Sequence, residues 1–126
     1  HCQPVQADVT RFIDQQCAQY HFPTQPRLCF HDWHAGNIIS HSHGLTLIDW
    51  EYAALGDPIV DIACLISGFK LSQPAIQSFL STQDIKPTLL QNALCLTELM
   101  SLLWFHVRFP HRASHSELHD WMLRWQ

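Results

Sequence analysis

Charge is scarce in this chain. Of its 126 residues 14% are charged, with 7 Lys and Arg against 11 Asp and Glu, for a formal net charge of -4. No run or stripe of basic residues appears, so the electrostatic footprint of a nucleic-acid binder is missing. The 10 histidines would alter that balance only in mild acid. No apolar run approaches the ~20 residues that span a bilayer, and no basic stretch followed by an apolar one opens the chain as a secretory signal would. These absences point to the cytoplasm and to no nucleic-acid or membrane partner. No CxxC pair occurs among Cys2, Cys17, Cys29, Cys64 and Cys95. Scattered thiols in odd number read as small buried apolar residues in a reducing compartment, not as a disulfide frame. Glycine is rare, at 4 residues, and neither repeats nor low-complexity segments are present.

What the chain does have is apolar content, 47% of its residues, enough for one domain with a real core. Val5, Val9, Phe12, Ile13 and Cys17 fall on one face of a helix over residues 4–20. A proline-containing loop follows, then a short strand over 27–31. Ile38–Ile39 and residues 45–48 read as a β-hairpin closed by a polar Ser-His-Ser-His-Gly turn. Residues 51–56 read as a loop. Asp57-Pro58 has the N-cap and first-turn chemistry of a helix start, and that helix is expected to run to about Ser67, ending near Gly68. Further helices are expected over 74–80, over 87–109 (buried on most sides), and from Ser114 or Ser116 to Trp125. The fold class is α+β, mostly helical with a small hairpin.

The segments Phe30-His31-Asp32-Trp33-His34-Ala35-Gly36-Asn37 and Leu47-Ile48-Asp49-Trp50-Glu51 carry the chemistry. Asp32 falls on a loop after a strand, Asn37 at the start of the next strand, and Asp49 at the far end of the hairpin. A hairpin returns its far end to its near end, so Asp49 is expected beside Asn37. A carboxylate and an amide oxygen together suit a hard cation such as Mg²⁺. Asp32, not required as a ligand, is then placed to accept a proton from an attacking hydroxyl. This division of labour is what phosphoryl transfer needs.

Asp32-x-His34-x-Gly36-Asn37, then Ile48-Asp49-Trp50-Glu51, then Gly56-Asp57-Pro58-x-x-Asp61 resembles the aminoglycoside phosphotransferase and choline kinase superfamily, with its protein-kinase-like catalytic lobe. The stretch through Ile48-Asp49-Trp50-Glu51-Tyr52-Ala53 is similar to bacterial thiamine kinases. The resemblance is dense over 27–66 and loose beyond. It implies Asp32 as catalytic base, Asn37 and Asp49 as Mg²⁺ ligands, and His34 and Asp61 as supports of the loop. Trp50 and Glu51 become candidate substrate contacts. It also implies ATP as phosphate donor and a small, cationic alcohol as acceptor, thiamine first, with choline, ethanolamine or an aminoglycoside as alternatives. Trp33, Trp50 and Tyr52 could form an aromatic wall against such a cation. Trp104 and Phe105, at helical spacing, read rather as core.

The sequence departs from the family pattern at two places. Phe30 stands where the family has a His two residues before the catalytic Asp. No Gly-rich phosphate loop or strand-borne Lys precedes the motif, Lys70 and Lys86 both following it. With His1 rather than Met at its start, the chain is expected to be the C-terminal catalytic lobe over 1–126 without its ATP-binding N-terminal lobe, and to turn over poorly alone. Two rival readings compete with the kinase. One is a metallohydrolase built on His31, Asp32, His34, His41 and His43; the other is a kinase lobe kept as a non-catalytic binding module.

Overall fold

A computed structural model describes the backbone of residues 4–83, 85–112 and 114–126, with side chains except at 4–6 and 115. Cys2 and the side chain of Val5 lie outside the described residues. In chain order the elements are α1 (Pro4–Gln19), β1 (Arg27–Cys29), a 3₁₀ turn (Ala35–Asn37), β2 (Ile38–His41), β3 (Gly44–Leu47), β4 (Ala54–Gly56), α2 (Pro58–Phe69), α3 (Gln73–Ser81), α4 (Pro87–Arg108) and α5 (His115–Trp125). The architecture is α+β, mostly helical, with two antiparallel strand pairs, β1–β4 and β2–β3. The chain divides into two compact units, residues 22–94, and residues 1–21 with 95–126.

The unit of residues 22–94 holds both strand pairs. In the hairpin, Ile38 faces Leu47 and His41 faces Gly44, whose φ of 130° no L side chain adopts readily. The other pair joins Arg27 to Gly56, Leu28 to Leu55 and Cys29 to Ala54. Residues 54–56 are thus a strand, not the expected loop. Ala-Leu-Gly has no alternation that announces a strand, and its conformation is set by the backbone partner β1. Closing this ladder delivers the chain beside Arg27 at the start of α2. There the Asp57 carboxylate accepts from the Ile59 N–H at 2.9 Å, and Pro58 occupies the first turn. Ala63 and Ile66 of α2 are buried with Ile76 of α3 and Leu90 and Ala93 of α4. Burying each large aliphatic side chain here contributes about 1.5–3 kcal/mol.

α2 ends near Gly68, at Phe69, but the residue that closes it in the left-handed conformation is Lys70, at φ 49° and ψ 49°. Gly68 serves another purpose, because a Cβ there would lie 1.6 Å from the Trp33 carbonyl oxygen. The helix needs a hydrogen at this position so that the loop backbone can rest on it.

In the unit of residues 1–21 and 95–126, Val9 and Phe12 of α1, Cys95 and Leu99 of α4, and Trp121 and Met122 of α5 form the core. Trp121 is fully buried. Its ring meets Phe12 edge-on at 5.3 Å, and its indole N–H donates to the Cys95 carbonyl at 3.3 Å. Ser114 begins α5 with a capping box completed by Glu117. Arg124 and Trp125 both donate to the Glu98 carboxylate. α4 is not buried on most sides, since Leu89, Met100, Leu103, Trp104 and Val107 are exposed. It is long and apolar enough to cross a membrane by length and composition. Its apolar character is broken along the way by Gln91, Asn92, Thr97 and Glu98, and it supplies buried residues to both cores.

Two outcomes follow for stability. Gly→Ala inside a helix ordinarily gains up to about 1 kcal/mol, but Gly68→Ala should lose about 1–3 kcal/mol in urea unfolding, as overpacking does; a gain would contradict the close approach. Burial, and then the Glu98 carboxylate, push the Cys95 thiol from its ordinary 9.0 up to about 11. The unfolded chain releases that proton first. Stability is therefore undiminished below pH 9.0 and declines as pH rises towards about 11. Cys95→Ala should make that alkaline decline shallower, measured as the difference between the two stability curves.

Candidate active site

The site grows from the end of β1. Beyond Cys29 the chain leaves the ladder, and its partly buried N–H groups need acceptors away from water. Asp61, one turn into α2, supplies them. Its Oδ1 accepts from the Phe30 N–H at 3.1 Å, the His31 N–H at 2.7 Å and the Trp33 indole N–H at 2.8 Å, while Oδ2 shares the Phe30 N–H at 3.1 Å. A carboxylate with several N–H donors is well satisfied and makes charge-assisted bonds. His31 then takes φ 67°, a left-handed conformation that breaks the extended run just before Asp32. Asp49 is also left-handed, at φ 59°. Non-glycine residues in this region gather at functional sites more often than elsewhere.

Asn37 is buried, at 5% exposure, and its Nδ2 donates to Asp32 twice, to Oδ2 at 2.7 Å and to the main-chain carbonyl at 3.1 Å. A carboxylate and a carbonyl can only accept, so the amide must present its nitrogen to Asp32, which leaves its oxygen directed elsewhere. His34 starts the 3₁₀ turn that carries Asn37. Its Nδ1 accepts from the Gly36 N–H at 3.1 Å, and its Nε2 lies 3.5 Å from the same Oδ2 of Asp32. Both contacts fall on Oδ2, so Oδ1 of Asp32 has no partner among the described residues.

The hairpin connects this cluster to Asp49. The Ile48 N–H donates to the Asn37 carbonyl at 3.0 Å, extending the β2–β3 ladder by one step. Asp49 therefore follows directly on the residue paired with Asn37. Its exposed carboxylate has no bonded partner among the described residues. Asn37 lies in the 3₁₀ turn just before β2, and Asp49 two residues past the end of β3.

Phe30 is 3% exposed and meets Trp33 edge-on at 5.2 Å and Trp50 at 5.0 Å. The aromatic at the departure from the family pattern is thus the centre of a packed trio. Trp50 donates its indole N–H to the Leu47 carbonyl at 3.0 Å and remains half exposed. Glu51 and Tyr52 are exposed beside it. His31 turns its ring to Gly56, where a Cβ would come within 2.9 Å of Nε2, and that buried nitrogen has no hydrogen-bond partner among the described residues. His41 and His43 are at the exposed hairpin tip, with His41 bonded to Thr46 at 2.9 Å. Among the described residues no three His, Cys, Asp or Glu side chains gather to hold a metal ion, so the histidine cluster of the metallohydrolase reading does not assemble. Burial first, and then the Asp61 carboxylate, hold the Cys29 thiol above its ordinary 9.0, which makes it a protonated packing group, not a nucleophile.

The model of the phosphotransferase enzyme family matches residues 2–87, well over half of the chain. The chain belongs to this family. The LicA protein of Haemophilus influenzae is 39% identical over 56 residues, which are 44% of this chain and 21% of LicA. Thiamine kinase of Shigella boydii is 50% identical over 34 residues, 27% of this chain and 12% of that enzyme. Among solved structures, LicA in complex with AMP matches 97% of this chain and 46% of its own, with TM-score 0.70 and 19% identity. Choline kinase LicA from Streptococcus pneumoniae matches 96% and 44%, with TM-score 0.68 and 21% identity. The fold is thus the kinase-like α+β fold, and the chain spans less than half the length of these relatives.

The Trp33–Asp61 bond and the seat of Trp33 on Gly68 were not read from the sequence. Their signal was a glycine in the last turn of α2, which has the same appearance as a helix terminator. An Asn at position 61 has one acceptor oxygen and turns an NH₂ towards the remaining donors. Asp61→Asn should therefore destabilise the fold by about 2 kcal/mol, within the range for hydrogen bonds to charged groups. Chemical denaturation checks this, and an unchanged midpoint would contradict the role of the carboxylate.

Proposed function

We propose that this chain is the catalytic lobe of a small-molecule kinase that transfers the γ-phosphate of ATP to the hydroxyl of a small cationic alcohol, with thiamine as the first candidate. The observation that carries the reading is the bond of Asn37 Nδ2 to Asp32 Oδ2 at 2.7 Å, made next to the point where the Ile48–Asn37 backbone bond brings in Asp49. In this reading Asp32 is the base. Its Oδ2 is held by Asn37 and approached by His34, and Oδ1 takes the proton of the acceptor hydroxyl. Asp32 is a third exposed at its side chain, open enough to meet a substrate.

The donor set fits a hard cation. Asn37 has an amide oxygen not engaged by Asp32, and Asp49 has an exposed carboxylate without a partner among the described residues; Mg²⁺ favours such oxygen ligands. When bound, Mg²⁺ would neutralise phosphate charge. Trp50, half exposed with its ring fixed on Phe30, and Glu51 beside it offer an aromatic face and a negative charge to a cationic acceptor. A lobe that covers the ATP phosphates is proposed to act with this one. The matches to LicA support choline as a second acceptor, on the same mechanism.

The test is ADP release by the protein expressed from its complete reading frame, with Mg·ATP and thiamine, choline or an aminoglycoside offered separately. Release with thiamine alone supports the first reading, and release with choline moves the acceptor. No release with any of them would favour the non-catalytic module. In the active protein, Asp32→Asn should lower kcat by ~10²–10⁴ with KM and stability little changed. Asp49→Asn should instead raise the Mg²⁺ concentration for half-maximal rate by about tenfold, and an unchanged Mg²⁺ response would remove it from the ligand set.

A further inference from the structure

We propose that Trp33 is a positioning residue for Asp32, fastening the backbone on the C-terminal side of the base to α2; this rests on the reading of Asp32 as the base. As an aromatic next to Asp32, Trp33 reads from the sequence as part of a substrate wall. The structure gives it different work. Its indole N–H is engaged by Asp61 at 2.8 Å, and its ring edge packs on buried Phe30. Its main-chain carbonyl rests on Gly68, at a spot where a Cβ would lie only 1.6 Å from the oxygen.

The residue before Asp32 is fixed in the same way. The His31 N–H reaches Asp61 at 2.7 Å. One carboxylate thus holds His31 by its main chain and Trp33 by its side chain, and the base lies between the two anchors. Asp61 and Gly68 belong to the same helix, α2, so both anchors share one rigid support. Asn37 then only has to set the Asp32 side chain. A base held in place before substrate arrives raises the rate of the chemical step without altering how tightly substrate binds.

Trp33→Phe tests this, since it keeps a ring against Phe30 and removes only the N–H. In hydrogen exchange on the 126-residue chain, the Phe30 and His31 amides should exchange about tenfold faster relative to Ala63 and Ile66 within α2. In the active protein kcat should fall about tenfold, with KM for ATP and acceptor within about a factor of two. Unchanged exchange at Phe30 and His31 would overturn the proposal, and so would a loosened loop with unchanged kcat, because a residue that only stabilises the fold leaves the turnover of folded molecules alone. Should Trp33→Phe not fold, the wild-type indole N–H decides: bonded to Asp61 it exchanges as slowly as the Phe30 and His31 amides, and rapid exchange overturns the assignment. Wild-type protein without turnover on any acceptor would sink the phosphotransfer reading, while the exchange result would still decide whether Trp33 holds the loop.

Discussion

The site depends on a single carboxylate. Asp61 accepts the N–H groups of Phe30, His31 and the Trp33 indole, at the point where β1 stops and the chain would otherwise carry unpaired donors into a partly buried loop. Leaving those donors unsatisfied would cost about 1–3 kcal/mol each. With them satisfied, the loop can hold the left-handed turn at His31 that presents Asp32. The placement of Asp61 depends in turn on the β1–β4 ladder, since pairing Arg27 with Gly56 starts α2 close to where β1 began.

From that anchor the remaining parts are short and local. Asn37 is brought back to Asp32 by a 3₁₀ turn that His34 caps through Gly36. The hairpin needs only four residues in each strand to return the chain to Asn37 and set Asp49 beyond it. Nothing larger than a loop, a turn and a hairpin is needed to bring together Asp32 and Asn37 and to set Asp49 beyond them. This explains why the chemistry-bearing residues fall within so few positions of the chain.

That compactness also made much of the site legible in the sequence. Asp32, Asn37 and Asp49 could be related because a hairpin obliges its two ends to meet. The start of α2 was readable from Asp57-Pro58, and the start of α5 from Ser114 and Glu117, because caps are chosen by local hydrogen bonding. The misses were tertiary. β4 is a strand only because β1 lies beside it. Gly68 is required by the Trp33 carbonyl, a contact between residues distant in sequence, while the left-handed cap of the helix falls on Lys70. The exposed face of α4, including Met100, Leu103, Trp104 and Val107, could not be told from a buried one, because its apolar residues surround the helix.

The proposed role of Asn37 and Asp49 is to hold the divalent cation of a nucleotide beside Asp32. Paramagnetic broadening by Mn²⁺ added with ATP tests it directly. The resonances of Asn37 and Asp49 should broaden first and recover in excess Mg²⁺, while those of His41 and His43 at the hairpin tip persist. Broadening centred on the histidines, with Asn37 and Asp49 unaffected, would contradict it.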